Sequence, residues 1–540
     1  MQSGSDRLTR VSWILVFALS GLQGLAAPEG PQSISDRAPT QTVTGVVFAD
    51  KNASGVFDEG DVPLEGIRVS NGRKVVLTDA QGRYALPMEH EGVVFVIKPR
   101  NYQAPLNEYN LPQFYYLHRP KGSPATRFAG IAPTGPLPAS VDFALTPTQE
   151  PDEFNVIIFG DPQPRNTTEI DYMLRKVVEE LVAQGVSDNV SFGISLGDIV
   201  FDDLGLFAAL NAAIAQIGLP WINVLGNHDC NFDAPALSQS YETFQRIYGP
   251  AYYAFDYGPA HFVVLNTVTW HEGDNRRYYR GGLGQDQLAF VANNLAHVPK
   301  DALVVFVMHI PFIDSTAWNA GELQAFYRII EDRPHTLSFA AHTHSHKHRF
   351  LDPSNGWQGS RPHHHVIHGT ICGAWWSGPM NEYAVPQTLM ADGTPHGYGI
   401  LTIKGNTYRH RYKVFGRDED FQMHIHAPET VTADAEQSGS ISANIFNAWA
   451  DAEVSMRIGR NGTWLPMQHK HEPDPVFLDY RDRHESVPER YWRNPPQPRP
   501  CRHIWSTPLG KLPEGTHLIE IKAVNPDGQM FRGVRIIRAK

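Results

Sequence analysis

The chain has 540 residues, more than one hydrophobic core usually organises, so two to four domains are expected. At 41% hydrophobic and 19% charged it is too apolar and too weakly charged to stay unfolded. A net charge of −11 argues against a nucleic-acid binder that works through a broad basic surface, but leaves room for a local cationic site such as a metal centre.

The N-terminus reads as a secretory signal, residues 1–27. Arg7 and Arg10 precede an apolar stretch of 12 residues, VSWILVFALSGL, too short to span a bilayer. Small residues follow around Gly24-Leu25-Ala26, a cleavage pattern. No later stretch is long enough for a transmembrane helix, so the mature protein is expected to be secreted or periplasmic, with no integral membrane segment. The three cysteines, Cys230, Cys372 and Cys501, allow at most one disulfide, and spacing alone leaves a Cys230–Cys372 pair open.

After a Pro/Ser-rich linker, residues 41–147 carry short β-type runs: TGVVFA, IRVSNG, KVVLTD, GRYALP, VVFVIKP and VDFALT. Within them, DKNASGVFDEGD places Asp50, Asn52, Ser54, Asp58 and Asp61 at positions 1, 3, 5, 9 and 12 of a candidate calcium loop, with Gly55 at position 6. Position 12 is Asp instead of the usual Glu, and a strand precedes the loop where a helix normally would. An acidic surface turn is the competing reading. The segment, with TDAQGRYAL further on, resembles the B-type β-sandwich repeats of bacterial surface adhesins.

Residues 152–415 alternate strands with helices, an α/β layer pattern. Ile170, Met173, Leu174, Val177, Val178 and Leu181 follow helical spacing, with Thr167 or Thr168 as the expected N-cap. Residues 416–540 return to short apolar runs between Pro/Gly-rich stretches and read as a C-terminal all-β domain.

Five apolar runs in the central segment each stop on polar residues. NVIIF ends at Asp161-Pro-Gln163, SFGISL at Gly197-Asp198, and WINVL at Gly226-Asn227-His228-Asp229. LVVFVM ends at His309, and LSFAA at His342-Thr-His344. Open α/β sheets gather ligands at the carboxyl ends of their strands. Oxygen and imidazole donors together suit first-row metals. Seven candidate ligands fit two ions better than one.

In that order these motifs resemble the calcineurin-like metallophosphoesterases, in a secreted bacterial branch with β accessory domains at both ends. The resemblance implies a metallophosphoesterase-type β-sandwich flanked by helices. It also implies roles. Asp161, Gln163 and His344 would hold one metal. Asn227, His309 and His342 would hold the second, with Asp198 bridging. His228 would face the leaving group, with Asp229 fixing its imidazole. The implied activity is hydrolysis of a phosphate ester by hydroxide bound to two ions of Mn, Fe, Zn or Mg. The implied partner is a small phosphate ester or a phosphorylated glycan or lipid, not nucleic acid. The sequence departs from the family pattern at Gln163, where His is usual, and at Ala341, where Gly is usual. Phe201 occupies the place of the purple acid phosphatases' Tyr ligand. The same core would serve a pyrophosphatase or nucleotidase, and a non-catalytic surface or glycan binder with a relic centre is the rival from another class.

Other residues invite simpler readings. His346 and His348 fit a solvated strand face, and His363, His364, His365 and His368 a loop. Trp375 and Trp376 fit either a pocket floor or the core. The turn-rich Asp392–Tyr398 segment is a candidate for closing the pocket.

Overall fold

A computed structural model describes residues 41–273, 277–315, 317–436, 438–488 and 492–540. The expected signal segment, 1–27, lies outside them. No helix among the described residues is long and apolar enough to cross a membrane.

Two facing sheets make the central architecture. Strand β1 (Glu153–Phe159) runs parallel to β2 (Phe192–Ser195), which runs parallel to β3 (Trp221–Asn223). The second sheet draws on β4 (Tyr253–Tyr257), β5 (Ala260–Val264), β8 (Leu303–Val307), β9 (Thr336–Ala340), β10 (Lys347–Leu351) and β11 (His363–Ile367). A separate hairpin pairs β6 (Val268–Glu272) with β7 (Arg277–Gly281). Strands β12 (Gly397–Lys404) and β13 (Thr407–Val414) complete the first sheet, in the order β3-β2-β1-β12-β13. The second sheet is ordered β4-β5-β8-β9-β11-β10.

Side chains alternate across a strand, and β1 shows the consequence. Val156 and Ile158 enter the core between the sheets. Ile157 and Phe159 face the other way, onto Ile170, Met173, Val177 and Leu181. That apolar stripe sits on helix Thr167–Met173, continued by a π-helical turn at Leu174–Val178 and then Glu179–Ala183. The N-cap is Asn166, one residue before the expected threonines. Its side chain accepts the Glu169 amide, which satisfies an otherwise orphaned N–H.

At the N-terminal side, Gln41–Ala49, Arg83–Met88 and Phe143–Pro147 belong to a five-stranded sheet, and Arg68–Ser70, Gly92–Val96 and Tyr115–His118 to a four-stranded one. At the C-terminal side, a four-stranded sheet includes Ser440–Ile445 and Cys501–Pro508. A five-stranded sheet there includes Gly515–Val524 and Met530–Ala539. Ile441, Ile445, Trp505, Ile519 and Ile521 pack in their core.

Two histidine expectations are corrected. His363, His364 and His365 lie in the buried strand β11, and His346 and His348 are buried as well; His368 does lie in the loop that follows β11, but it too is buried. Neutral imidazoles tolerate burial when both ring nitrogens find partners. Ser338 Oγ sits 2.7 Å from both His363 Nε2 and His365 Nδ1, and burial pushes His363 down to about 3. His348 links to His364 at 2.9 Å and to Asn447 Oδ1 at 2.9 Å.

Candidate metal centre

All seven expected ligands sit at the ends of the predicted strands. Asp161, Gln163, Asp198, Asn227, His309 and His344 are buried, and His342 is half-buried at the mouth. Gly160 bridges to Thr370, which joins the loop after β1 to the loop after β11.

The backbone is bent to bring them there. Five of the seven have positive φ: Asp161 +29°, Gln163 +45°, Asp198 +47°, His342 +69° and His344 +47°. Side-chain-bearing residues rarely adopt such values, and where they do the strain clusters at functional sites. Close approach matters as well. A Cβ on Gly226 would lie 1.9 Å from the Asp198 amide nitrogen and 2.3 Å from its Oδ1. Only glycine lets the loop after β3 press against Asp198.

Hydrogen bonds fix which lone pairs face inward. His309 Nδ1 lies 2.9 Å from the Leu196 carbonyl, which can only accept, so that nitrogen carries the proton. In neutral His309 the lone pair is therefore on Nε2. That atom lies 3.0 Å from Asn227 Oδ1, 3.2 Å from Asp198 Oδ1 and 3.2 Å from His342 Nδ1. One ligand atom each from Asp198, His309 and His342 falls within 4.8 Å of the others. The second cluster repeats the logic. His344 Nδ1 donates to the Gly373 carbonyl at 2.6 Å, which turns Nε2 toward Asp161 Oδ2 at 3.2 Å. That carboxylate oxygen is buried and has no hydrogen-bond partner. In the neutral tautomers, Nε2 of His309 and of His344 offers its lone pair beside the Asp198 and Asp161 carboxylates, which is the donor set a cation requires, so the residues fit metal ions.

Without a cation the charges distort the titrations. Burial alone would lower His309, yet Asp198 and Asp161 outweigh it and raise it to about 9. Burial would raise Asp198, but His309 and His228 hold it well below the usual carboxylate range. Burial and then His309 push His342 down to about 4.

Gln163 donates from Nε2 to Asp198 Oδ2 at 2.9 Å, which leaves its oxygen beside the Cys372 thiol at 3.8 Å. A half-turn of the amide would exchange the two atoms. Cys230, Cys372 and Cys501 are all free and buried, so the open Cys230–Cys372 pair does not form.

The partner expected for His228 is corrected. His228 Nδ1 lies 2.6 Å from Asp202 Oδ1, and its ring stacks on Phe201 with centroids 4.3 Å apart. Asp229 instead accepts the amides of Val200 at 3.1 Å and Gly226 at 2.8 Å, tying together the loops after β2 and β3. Burial and Asp198 push it up to about 7. Asp202 has φ +63°, and the acid-rich run Phe201-Asp202-Asp203 was the available sequence signal.

The tryptophans divide. Trp375 is exposed and packs on the His344 ring at 4.3 Å, while Trp376 is buried beside Tyr172. Asp392 does not close the pocket. It is buried, and its carboxylate accepts the amides of His346 and Thr394, behind the metal-facing loop. The candidate calcium loop turns its carboxylates onto itself: Asp50 accepts Ser54 and Gly55, and Asp61 accepts Lys51 and Asp58. Among the described residues, no three acidic or imidazole ligand atoms converge there.

Comparison with known families gives three matches that tile the chain. The model described as Calcineurin-like phosphoesterase matches residues 154–346. Those described as its N terminal and C terminal match 51–130 and 365–531. No curated protein matches. Among solved structures, purple acid phosphatase PPD1 from yellow lupin (Lupinus luteus) seeds is 14% identical, with a TM-score of 0.35. That match covers 69% of this chain and 66% of the lupin one, so the chain spans just under two thirds of the lupin structure. The copper resistance protein PcoC from Escherichia coli is 16% identical, with a TM-score of 0.11, over 21% of this chain and 90% of that one. At such scores neither superposition bears on the chemistry.

Proposed function

The chain belongs to the calcineurin-like phosphoesterase family, and from that membership we propose that it hydrolyses a small phosphate ester at a two-metal centre. Asp161, Gln163 and His344 would hold one ion. Asn227, His309 and His342 would hold the other, with Asp198 shared. Bound there, the ions would supply Lewis acidity and positive charge to a phosphoryl group and its attacking water.

The observation that carries the reading is the inward aim of His309 Nε2 and His344 Nε2, each fixed by a backbone carbonyl on the opposite ring nitrogen. Burial keeps bulk water from competing for those donors. The protein's own groups do the rest. Asp202 holds His228 at Nδ1, and Phe201 backs its ring. The remaining nitrogen, Nε2, is 4.0 Å from Asp198 Oδ2, at the edge of the centre. From there it can deliver a proton to the departing alkoxide, a step typically contributing about 10²–10⁴-fold.

The reading also places the protein outside the cytoplasm, on the strength of its apolar N-terminal stretch. The test compares Asp198→Ala and His228→Ala in metal-reconstituted protein, on a chromogenic monoester and a diester. Asp198→Ala is expected to lose metal and turnover together. His228→Ala is expected to keep its metal and lose mainly kcat. Wild-type activity in both variants would refute the site.

A further inference from the structure

Beside the candidate centre lies a recess of about 430 Å³ between the segment that follows His228-Asp229 and the β6–β7 hairpin. That volume falls in the range of roughly 300–1,000 Å³ typical of small-molecule clefts. We propose that this recess, walled by Phe232, Trp270 and Tyr279, is a subsite for a flat ring carried on the alcohol arm of the phosphate ester. The inference rests on the phosphoesterase reading and narrows its substrate class.

Three observations converge. The first is contact with the centre. The Tyr279 ring stands edge-on to His342, with centroids 5.8 Å apart and planes at 82°. A phosphoryl group at the metal residues would therefore have its ester arm within reach of Tyr279. Asn231, which also lines the recess, is only three residues beyond His228.

The second is the shape of the walls. Trp270 is edge-on to Tyr279 (5.4 Å, 70°) and to Phe232 (5.5 Å, 82°). The three rings form an aromatic corner, and Phe232 is 46% exposed, unusual for so large an apolar side chain. Aromatic pairs in offset or edge-to-face geometry gain about 0.5–1.5 kcal/mol beyond their buried area, which favours a ring over an aliphatic chain of the same size. Among the described residues no carboxylate lines the recess and Arg277 is the one charged side chain there, so a neutral or anionic ring meets no repulsion from them.

The third is rigidity. Arg277 Nη1 donates to the carbonyls of Phe232 and Ala234, clamping the segment onto the hairpin. From behind, Asn231 Nδ2 donates to Thr126 Oγ1 and to the Phe128 carbonyl, both at 3.2 Å. A wall held on both sides loses little freedom when a ligand arrives.

The test is calorimetric titration of full-length, Mn²⁺-loaded protein with phenylphosphonate and with methylphosphonate. Neither compound can be hydrolysed as an ester. Wild type is expected to bind the phenyl compound about tenfold more tightly. Phe232→Ala, at an exposed position that should not disturb folding, is expected to erase most of that preference, and Trp270→Leu to do the same. Equal affinities in wild type, no binding of either compound, or an equal fall for both ligands in the variants would overturn the subsite. Phenyl phosphate turnover is measured in parallel. A ring preference without any turnover would leave the subsite standing and refute the phosphoesterase reading alone.

Discussion

His228 is held at one ring nitrogen and free at the other, and the carboxylate that holds it is Asp202. This makes a distinction between two neighbouring acids testable. Asp202→Asn keeps the side-chain volume but replaces a charged acceptor with a neutral amide, so His228 loses its fixed orientation. We expect kcat to fall about tenfold to hundredfold with metal content unchanged, measured by steady-state kinetics beside elemental analysis. Asp229→Asn should behave differently. One of its two oxygens becomes a donor facing a backbone N–H, either at Val200 or at Gly226. The loops carrying Asp198 and Asn227 would part, so metal affinity and thermal stability should fall together. Gly226→Ala is the sharper version. Its methyl would overlap the Asp198 amide nitrogen, 1.9 Å away, so the loop must retreat. Loss of metal is expected, with a lower melting temperature. A Gly226→Ala protein with full metal content would show that the close approach is not needed.

Elements outside the central sheets brace the loops that carry the site. Asn447, beyond the catalytic sheets, accepts at Oδ1 from His346 Nε2 (3.1 Å) and His348 Nε2 (2.9 Å). His503 Nε2 donates to the His346 carbonyl at 2.9 Å. The segment beginning at His342 and His344 is thus anchored by the C-terminal sheets. Asn447→Ala leaves two buried imidazole N–H groups without an acceptor, at a cost of about 1–3 kcal/mol each. A lower denaturant midpoint and weaker metal retention are expected together, read from an unfolding curve and a chelator titration. Unchanged retention would separate the C-terminal sheets from the site. The N-terminal side braces in the same manner: Thr243 Oγ1 donates to the carbonyls of Phe128 and Ala129, and Arg119 pairs with Glu242 at 3.2 Å. What the sequence revealed follows from this arrangement. Strand ends such as NVIIF-Gly-Asp are local signals, because apolar runs and the polar residues that stop them are contiguous, and so the candidate ligands were legible. The bracing was not, because Asn447 and His346 are 101 positions apart and nothing in either neighbourhood names the other. For the same reason the histidine-rich runs read as solvated or looped. Burial of an imidazole depends on distant acceptors such as Ser338 and Asn447. Asp202 was missed because Asp229, adjacent to His228, was the nearer acid in sequence but not in space.

At the scale of the whole molecule, the N-terminal sheets are joined to the central domain by a buried charged network. Arg68 Nη2 lies 2.5 Å from Asp256 Oδ2, and Arg68 Nη1 donates to Asn294 Oδ1 at 3.2 Å. Asn294 Nδ2 lies 2.8 Å from His261 Nε2, and His261 Nδ1 lies 2.6 Å from Asp256 Oδ1. An amide N–H can only donate, so His261 is neutral, with its proton on Nδ1. Lys98 completes the surroundings, donating to the Asp256 carbonyl and pairing with Glu150 at 2.6 Å. Burial would raise Asp256, but His261 and Arg68 outweigh it and hold the carboxyl at about 2. Burial lowers His261 in spite of Asp256. Both shifts have the same sign in linkage. Below its ordinary value of about 6.5, an unfolded His261 takes up a proton that the folded one refuses, so stability declines as pH falls from there. The Asp256 contribution is fully present above about pH 4 and is lost as pH falls toward 2. A depression of this size corresponds to about 2 kcal/mol. Asp256→Asn should therefore lower stability at pH 7 by about 2 kcal/mol. The gap from wild type should close as pH falls from 4 toward 2, because the wild-type carboxyl then protonates as well. Urea midpoints measured across that range decide it. Curves that stay parallel down to the lowest pH would mean that the Arg68–Asp256 pair does not hold the accessory sheets to the catalytic ones.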